Sequence, residues 1–257
     1  MSIFRLSGRR ALLVGGASLA GAALLTGEGG SAPARETSSG PWAIELFTSQ
    51  GCSSCPPADR LLGELARRSD IVALSYHVDY WDYIGWKDRF ATPATTARQR
   101  TYANVLKQRY VYTPEMVVDG IAHDPGTALG PIEALLAKAA RRTPRRATPT
   151  LLHPTGAPLT IKLAPFKLED GPADIVFAAY DRRRSTPVHA GENDGRTLEN
   201  FNVVRHFEVL SQWDGTAAQW TVPADRFKSD QGLAVLVQHA GQGPILGCNK
   251  LEPMATG

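Results

Sequence analysis

Ala43-Ile44-Glu45-Leu46-Phe47-Thr48-Ser49-Gln50-Gly51-Cys52-Ser53-Ser54-Cys55-Pro56-Pro57-Ala58-Asp59 passes from a short apolar run, through two cysteines three apart, into a helix start. Residues 43–47 suit a strand, and Pro-Pro-Ala-Asp is a first-turn signature because proline has no N–H to lose there and acidic side chains favour the positive end of the helix. The pair is therefore expected at a helix N-terminus, where unsatisfied N–H groups favour thiolate over thiol. Cysteines spaced by three face one another on a turn, a spacing compatible with a disulfide. A redox pair is the first reading, and a static bridge tying the loop is the bland one.

Upstream, Arg5, Arg9 and Arg10 precede an apolar stretch over 11–25, followed by Ala32-Pro33-Ala34. This is the layout of an export signal over 1–34 with small residues at the cleavage point. Fifteen apolar residues are short for a membrane span, which needs about 20. The mature chain is expected to begin near Arg35, to span no membrane and to reside in the periplasm or outside the cell by the twin-arginine or the general secretory route, where disulfides persist. The 28 Lys and Arg against 25 Asp and Glu leave +3 overall, and removing 1–34 leaves about +1. That balance gives no sign of a nucleic-acid or membrane surface. Three cysteines are too few for a disulfide scaffold.

Downstream, residues 57–68 carry Ala58, Leu61, Leu62 and Leu65 at helical spacing, and 71–78 are β-branched and apolar. The aromatic run over 80–86 fits neither period and reads as a loop insertion, its Trp81, Tyr83 and Trp86 either a binding platform or packing. Thr92 as N-cap and Pro93 at the first position open a second helix to about 110. Residues 115–120 end in Asp119-Gly120, a hairpin turn signal, and 131–140 form a third helix. The order is β-α-β-α-β-β-α. Arg141 to Arg146 reads as a solvated charge run in a linker over 141–149. Short strands at 159–163, 173–180, 202–210, 219–222 and 233–239 then predict a β-rich, sandwich-like domain over 150–257, after a first domain over 42–140.

A strand leading into Cys-x-x-Cys, a helix, a crossover and Thr113-Pro114 before a hairpin together resemble the thioredoxin-like superfamily, an α/β fold with a central mixed sheet. The stretch 45–59, Tyr76-His77-Val78-Asp79-Tyr80-Trp81-Asp82, Tyr112-Thr113-Pro114 and the segment from Gly191-Glu192-Asn193 to Leu198 are similar to a secreted bacterial family known as domain of unknown function 1223. The resemblance implies a cis Pro114 beside the cysteines, Cys52 as an exposed attacking thiolate and Cys55 as the resolving thiol. It implies that Thr113 offers its backbone to an extended partner and that Glu45 stands near the place of a buried proton-relay acid. Gly51 and Ser53-Ser54 depart from the residues usual around a thioredoxin pair, so the direction of electron flow stays open.

His77 and Asp79, at the end of the second strand, are candidates to polarise the thiolate, bind metal or contact a partner, or are structural. Cys248 is either a buried hydrophobe or a third redox centre. Three functions follow. The first is an extracytoplasmic thiol–disulfide oxidoreductase acting on protein thiols or disulfides without a cofactor. The second is a copper or zinc module using Cys52 and Cys55 with His77 or His123. The third is a non-catalytic binding module on the same scaffold. The hydrolase and nucleotide motifs with their nucleophile elbow, phosphate loop or paired zinc histidines do not occur.

Overall fold

A computed structural model describes residues 40–154 and 157–253; the expected export signal at 1–34 lies outside them. The fold is mixed α/β and rich in strand, built on one large sheet with few helices. In chain order come β1 (Trp42–Thr48), α1 (Pro56–Leu65), β2 (Ile71–His77), α2 (Pro93–Val105), β3 (Glu115–Val118), β4 (Ala122–Asp124) and α3 (Leu129–Arg142). They are followed by β5 (Thr150–Leu152), β6 (Leu159–Leu163), β7 (Ala173–Pro187), β8 (Thr197–Trp213), β9 (Ala218–Val222), β10 (Gly232–His239) and β11 (Ile245–Leu251).

Local chemistry explains the first half. Thr92 caps α2 by accepting the Thr95 N–H while the Thr95 hydroxyl takes the Thr92 N–H, a reciprocal pair that satisfies two otherwise orphaned donors. Asp119 and Gly120 both hold positive φ, 50° and 67°, which the tight β3–β4 turn requires. Alternate residues of β1 divide between two cores. Ile44 and Leu46 meet Leu62 of α1 and Ile132 of α3, whereas Ala43 and Phe47 meet Tyr102 of α2.

The large sheet runs β11-β10-β7-β8-β2-β1-β3-β4. Strands from both halves of the chain thus hydrogen-bond into one sheet, joined where β2 meets β8 in parallel at Ser75 and Val203. The sheet curls back on itself. Val176 of β7 and Leu236 of β10 share a core with Phe47 and Leu74, and the Ile245 N–H donates to the Asp119 carbonyl at 2.9 Å. The smaller β5-β6-β9 sheet packs Leu159 and Ile161 against Phe177 and Val235, a sandwich within the second half.

Several elements depart from the sequence reading. Strands β5 and β11 were not expected, and β7 and β8 extend well past the predicted strands as a two-stranded arm with one face buried at Thr186, Leu198 and Asn200, paired from Arg183–Phe201 to Pro187–Thr197. That extension is polar, so no hydrophobic alternation marks it. The arginine run is not uniformly solvated. Arg146 is buried over the Trp42 ring, 4.1 Å from its centroid, and pairs with Asp119 at 2.6 Å. Asp119 is held above its usual range by burial, and Arg146 counters only part of that rise. Cys248 on β11 is buried against the Pro41 carbonyl, and burial pushes its thiol up to about 12. A thiol in that state is a core residue rather than a redox centre. No helix among the described residues is long and apolar enough to cross a membrane.

Candidate functional site: a covered disulfide at the start of a helix

Between β1 and α1 the chain makes one tight turn, with the Cys52 N–H bonded to the Ser49 carbonyl at 3.1 Å and the Cys55 N–H to the Cys52 carbonyl at 3.2 Å. This brings the two Cα atoms to 5.5 Å, and the sulfurs are bonded. Cys55 is the N-cap of α1. The expected surplus of helix N–H donors is absent here: Pro56 and Pro57 have none, and the N–H groups of Ala58 and Asp59 are spent on the Cys55 carbonyl. Any bias toward thiolate must come from the helix dipole rather than from free amides.

Thr113 and Pro114 are beside the bridge as expected. The peptide between them is cis, and the Thr113 carbonyl oxygen lies 3.8 Å from the Cys52 sulfur. Gln99 of α2 frames this turn, its amide donating to the Tyr112 carbonyl and to the Glu115 carboxylate at 2.7 and 2.8 Å.

The expected exposure of Cys52 is corrected. It is 1% exposed and Cys55 is fully buried, while Ser53 and Ser54 face solvent. Two segments provide the cover. The insertion at 80–86 lays Trp81 across, its indole N–H on the Thr113 hydroxyl at 2.8 Å, and Trp86 donates to Gln50 at 3.2 Å. A Cβ on Gly51 would meet Trp81 at 3.1 Å and Ile84 at 3.2 Å, so a side chain there requires the 80–86 segment to shift. Only Tyr83 of the aromatic run stands out in solvent, 81% exposed.

The second segment is the loop at the end of the β7–β8 arm. Asn193 donates its amide to the Gln50 and Cys52 carbonyls, both at 2.9 Å. The Glu192 carboxylate takes the Ser53 N–H at 3.0 Å and its hydroxyl at 2.7 Å, and these bonds hold the acid below the usual carboxylate range.

A buried ionic cluster lies on the α1 face of β1 and β2. His77 Nδ1 lies 2.6 Å from Asp88, which also accepts the Gln50 and Phe90 N–H groups. Burial opposes charging His77, but the Asp88 carboxylate wins and raises it above the ordinary imidazole value. Asp88 likewise stays below the usual range despite burial, because His77 faces it.

One helical turn from Cys55, Asp59 is fully buried and accepts the Thr48 hydroxyl at 3.3 Å. Burial pushes its carboxyl up to about 7, with His77 and the Thr48 hydroxyl pulling the other way. Asp59 Oδ1 and His77 Nε2 are buried without a partner among the described residues. Asp59 was visible in the sequence at the i+4 position from Cys55 but was read only as a helix-start residue; its burial was the missing signal.

Other candidates fall elsewhere. Glu45 is not under the sulfurs. It projects to the opposite face of β1, where Arg98 binds both its oxygens at 2.7 and 3.0 Å and Tyr102 donates to it. Asp79 is tied to Thr96 of α2 at 2.7 Å. His123 lies on β4, paired with the Tyr112 hydroxyl at 2.7 Å. Among the described residues no three His, Cys, Asp or Glu side chains converge as a metal-binding set, so neither His77 nor His123 completes one with the cysteines. Glu192, Asn193, Asp88 and Gln50 were missed because each reaches the bridge from a distant part of the chain.

No curated protein matches the chain. Among solved structures, the X-ray crystal structure of protein AGR_C_4864 from Agrobacterium tumefaciens, a Northeast Structural Genomics Consortium target, is similar at 31% identity with a TM-score of 0.72. The similarity covers 85% of this chain and 97% of that one. The family described as "Protein of unknown function (DUF1223)" matches residues 43–238, and the chain belongs to it.

Proposed function

We propose that this is an exported thiol–disulfide oxidoreductase of thioredoxin-like type, with Cys52 and Cys55 as its redox centre and extracytoplasmic protein thiols as partners. The observation that carries this reading is the four-residue Cys52–Cys55 bridge between β1 and α1, with the Thr113 carbonyl 3.8 Å from the Cys52 sulfur. Export through a cleaved leader accounts for a disulfide persisting in the chain.

In the forward step a partner thiolate attacks the Cys52 sulfur, the Cys52–Cys55 bond breaks and Cys55 leaves with the electron pair. Asp59 follows Cys55 by one helical turn, and a carboxyl raised to about 7 suits it to give Cys55 its proton. The partner's second thiolate then attacks its own sulfur in the mixed disulfide and expels Cys52. Two partner thiols have become a disulfide, and the Cys52–Cys55 pair has gained two electrons and, once both are thiols, two protons. The reverse sequence reduces a partner. Either direction requires the Glu192–Asn193 loop to move from over Cys52, so the loop is part of the selection of partners.

The test is reduction of insulin and reactivation of scrambled ribonuclease by the mature protein, with Cys52→Ser as control. Turnover that disappears in Cys52→Ser supports the reading. Failure of both reactions together with thiols that resist alkylation after mild reduction sinks it. Burial of both sulfurs favours a second reading, a static brace, and the reduction potential separates the two. A value below about −300 mV marks a structural bridge.

A further inference from the structure

A concavity lies between the loop at 88–90, the base of the β7–β8 arm and the segment 225–231, with a volume of about 600 Å³. Six cations line it: Arg89, Arg183, Arg184, Arg205, Arg226 and Lys228. Only two carboxylates do, Asp181 and Asp225. Arg183 pairs with Glu199 and Arg226 with Glu208, carboxylates outside this lining, which leaves Arg89, Arg184, Arg205 and Lys228 facing Asp181 and Asp225, a surplus of two positive charges.

The floor is organised. Asp181 is buried and receives Arg184 Nε at 2.8 Å and the Gln231 amide at 2.9 Å, with Arg205 Nε at 3.7 Å. Both guanidinium groups thus turn their Nε edge to Asp181, and their terminal nitrogens make no hydrogen bond among the described residues. The Arg205 guanidinium also lies over the Phe90 ring, 4.9 Å from its centroid. Two guanidinium groups facing one carboxylate, Arg184 hydrogen-bonded to it and Arg205 at ion-pair distance, with Arg89 and Lys228 on the same lining, suit an acceptor with several oxygens on each of several centres. Guanidinium pairs with phosphoryl oxygens in two parallel hydrogen bonds, a geometry that lysine cannot reproduce. The volume is that of a small-molecule site.

We infer that this hollow binds a compact polyphosphoryl group, with Arg184 and Arg205 as its principal ligands and Asp181 as the residue that positions them. The inference does not depend on the chemistry at Cys52.

Calorimetric titration of the protein with inorganic tripolyphosphate tests it, with orthophosphate for comparison. One saturable site is expected, at least tenfold weaker in Arg184→Gln/Arg205→Gln and several-fold weaker in Arg184→Lys, while Arg100→Gln on α2 leaves it unchanged. Asp181→Asn decides whether the site is built: a diffuse basic surface would bind the anion more tightly once a negative charge is gone, whereas a braced fork binds it more weakly. Circular dichroism verifies that each variant is folded, and Arg184→Lys retains the test if Asp181→Asn is not. Absence of saturable binding, equal binding by Arg184→Gln/Arg205→Gln, or tightening by Asp181→Asn overturns the proposal. Sedimentation with phosphatidylcholine vesicles bearing a diphosphoryl lipid headgroup separates the sources: capture that free tripolyphosphate displaces assigns a lipid-borne group, and saturable binding of tripolyphosphate without capture assigns a free one.

Discussion

Two polar clusters are buried on opposite faces of β1 and β2, and they are built to different rules. Toward α2, Glu45 meets Arg98 with both oxygens, and Gln238 of β10 joins Arg98 and Tyr102 at 3.0 and 2.8 Å. The Glu45 links tie β1 to α2, and the Gln238 links tie α2 to β10. Toward α1, Thr48, Asp59, His77 and Asp88 form a cluster that leaves Asp59 Oδ1 and His77 Nε2 unpartnered. Tyr76 Oη on the α2 face is likewise without a partner among the described residues, so the α1 cluster is set apart by the raised carboxyl of Asp59 near the His77–Asp88 pair. The contrast separates a clamp that closes the curled sheet from a cluster whose charge state can change.

The contrast breaks most visibly at Arg98. Arg98→Ala leaves the Glu45 carboxylate buried without its partner, and removal of one member of a buried pair costs about 3–5 kcal/mol. Urea denaturation should show that loss, and a change under roughly 1 kcal/mol would mean the network closes nothing.

Asp59 should behave in the opposite sense. Its folded value of about 7 lies above the usual 3.8, so the native state holds the proton more tightly than the unfolded chain. The stability this contributes is complete below about pH 4 and drains away as the pH rises through about 7. His77, also raised, contributes in the same direction, its share complete below the ordinary imidazole range and lost as the pH climbs through its higher folded value. Asp88, lowered, contributes above the usual carboxylate value and loses its share on the acid side. Asp59→Asn should accordingly stabilise the protein by roughly 2–4 kcal/mol at pH 8 and by little at pH 4. Denaturation curves with the same offset at both pH values would remove Asp59 from the titrating cluster.

The smallest effect is expected at the cover. Glu192→Gln keeps the shape of the side chain but weakens its two bonds to Ser53. Alkylation of the reduced pair should quicken several-fold with no loss of thermal stability. An unchanged rate would show that the loop does not limit access to Cys52.

Much of the first half was legible because its signals are local. The Thr92 cap, the Asp119-Gly120 turn and the alternation in β1 depend on neighbours within a few positions. The cysteine pair and Thr113-Pro114 were likewise visible as spacing and resemblance. Glu45 shows where local reading stops. It stands near enough to the cysteines in sequence to suggest a relay, yet strand alternation sends it to the face away from Thr48 and Asp59, and its partner is 53 residues on. The arginine run shows the same limit: Arg146 looks like its neighbours in sequence, and only the Asp119 turn and the Trp42 ring draw it inside. Strand β11 and the polar arm of β7 and β8 escaped because neither carries a sustained apolar alternation.

By itself the amino-acid sequence determined the succession of strands and helices up to α3, the caps and turns that bound them, and a close cysteine pair at the head of α1. Tertiary structure alone decided that both sulfurs are covered, that Asp59 rather than Glu45 shares the α1 face with Thr48 and His77, and that six scattered cations line one hollow. The reason is physical: capping, turn and spacing energies act over a few residues, whereas burial and charge pairing are set by the register and curl of a sheet that joins residues more than a hundred positions apart, as Gln50 and Asn193 are.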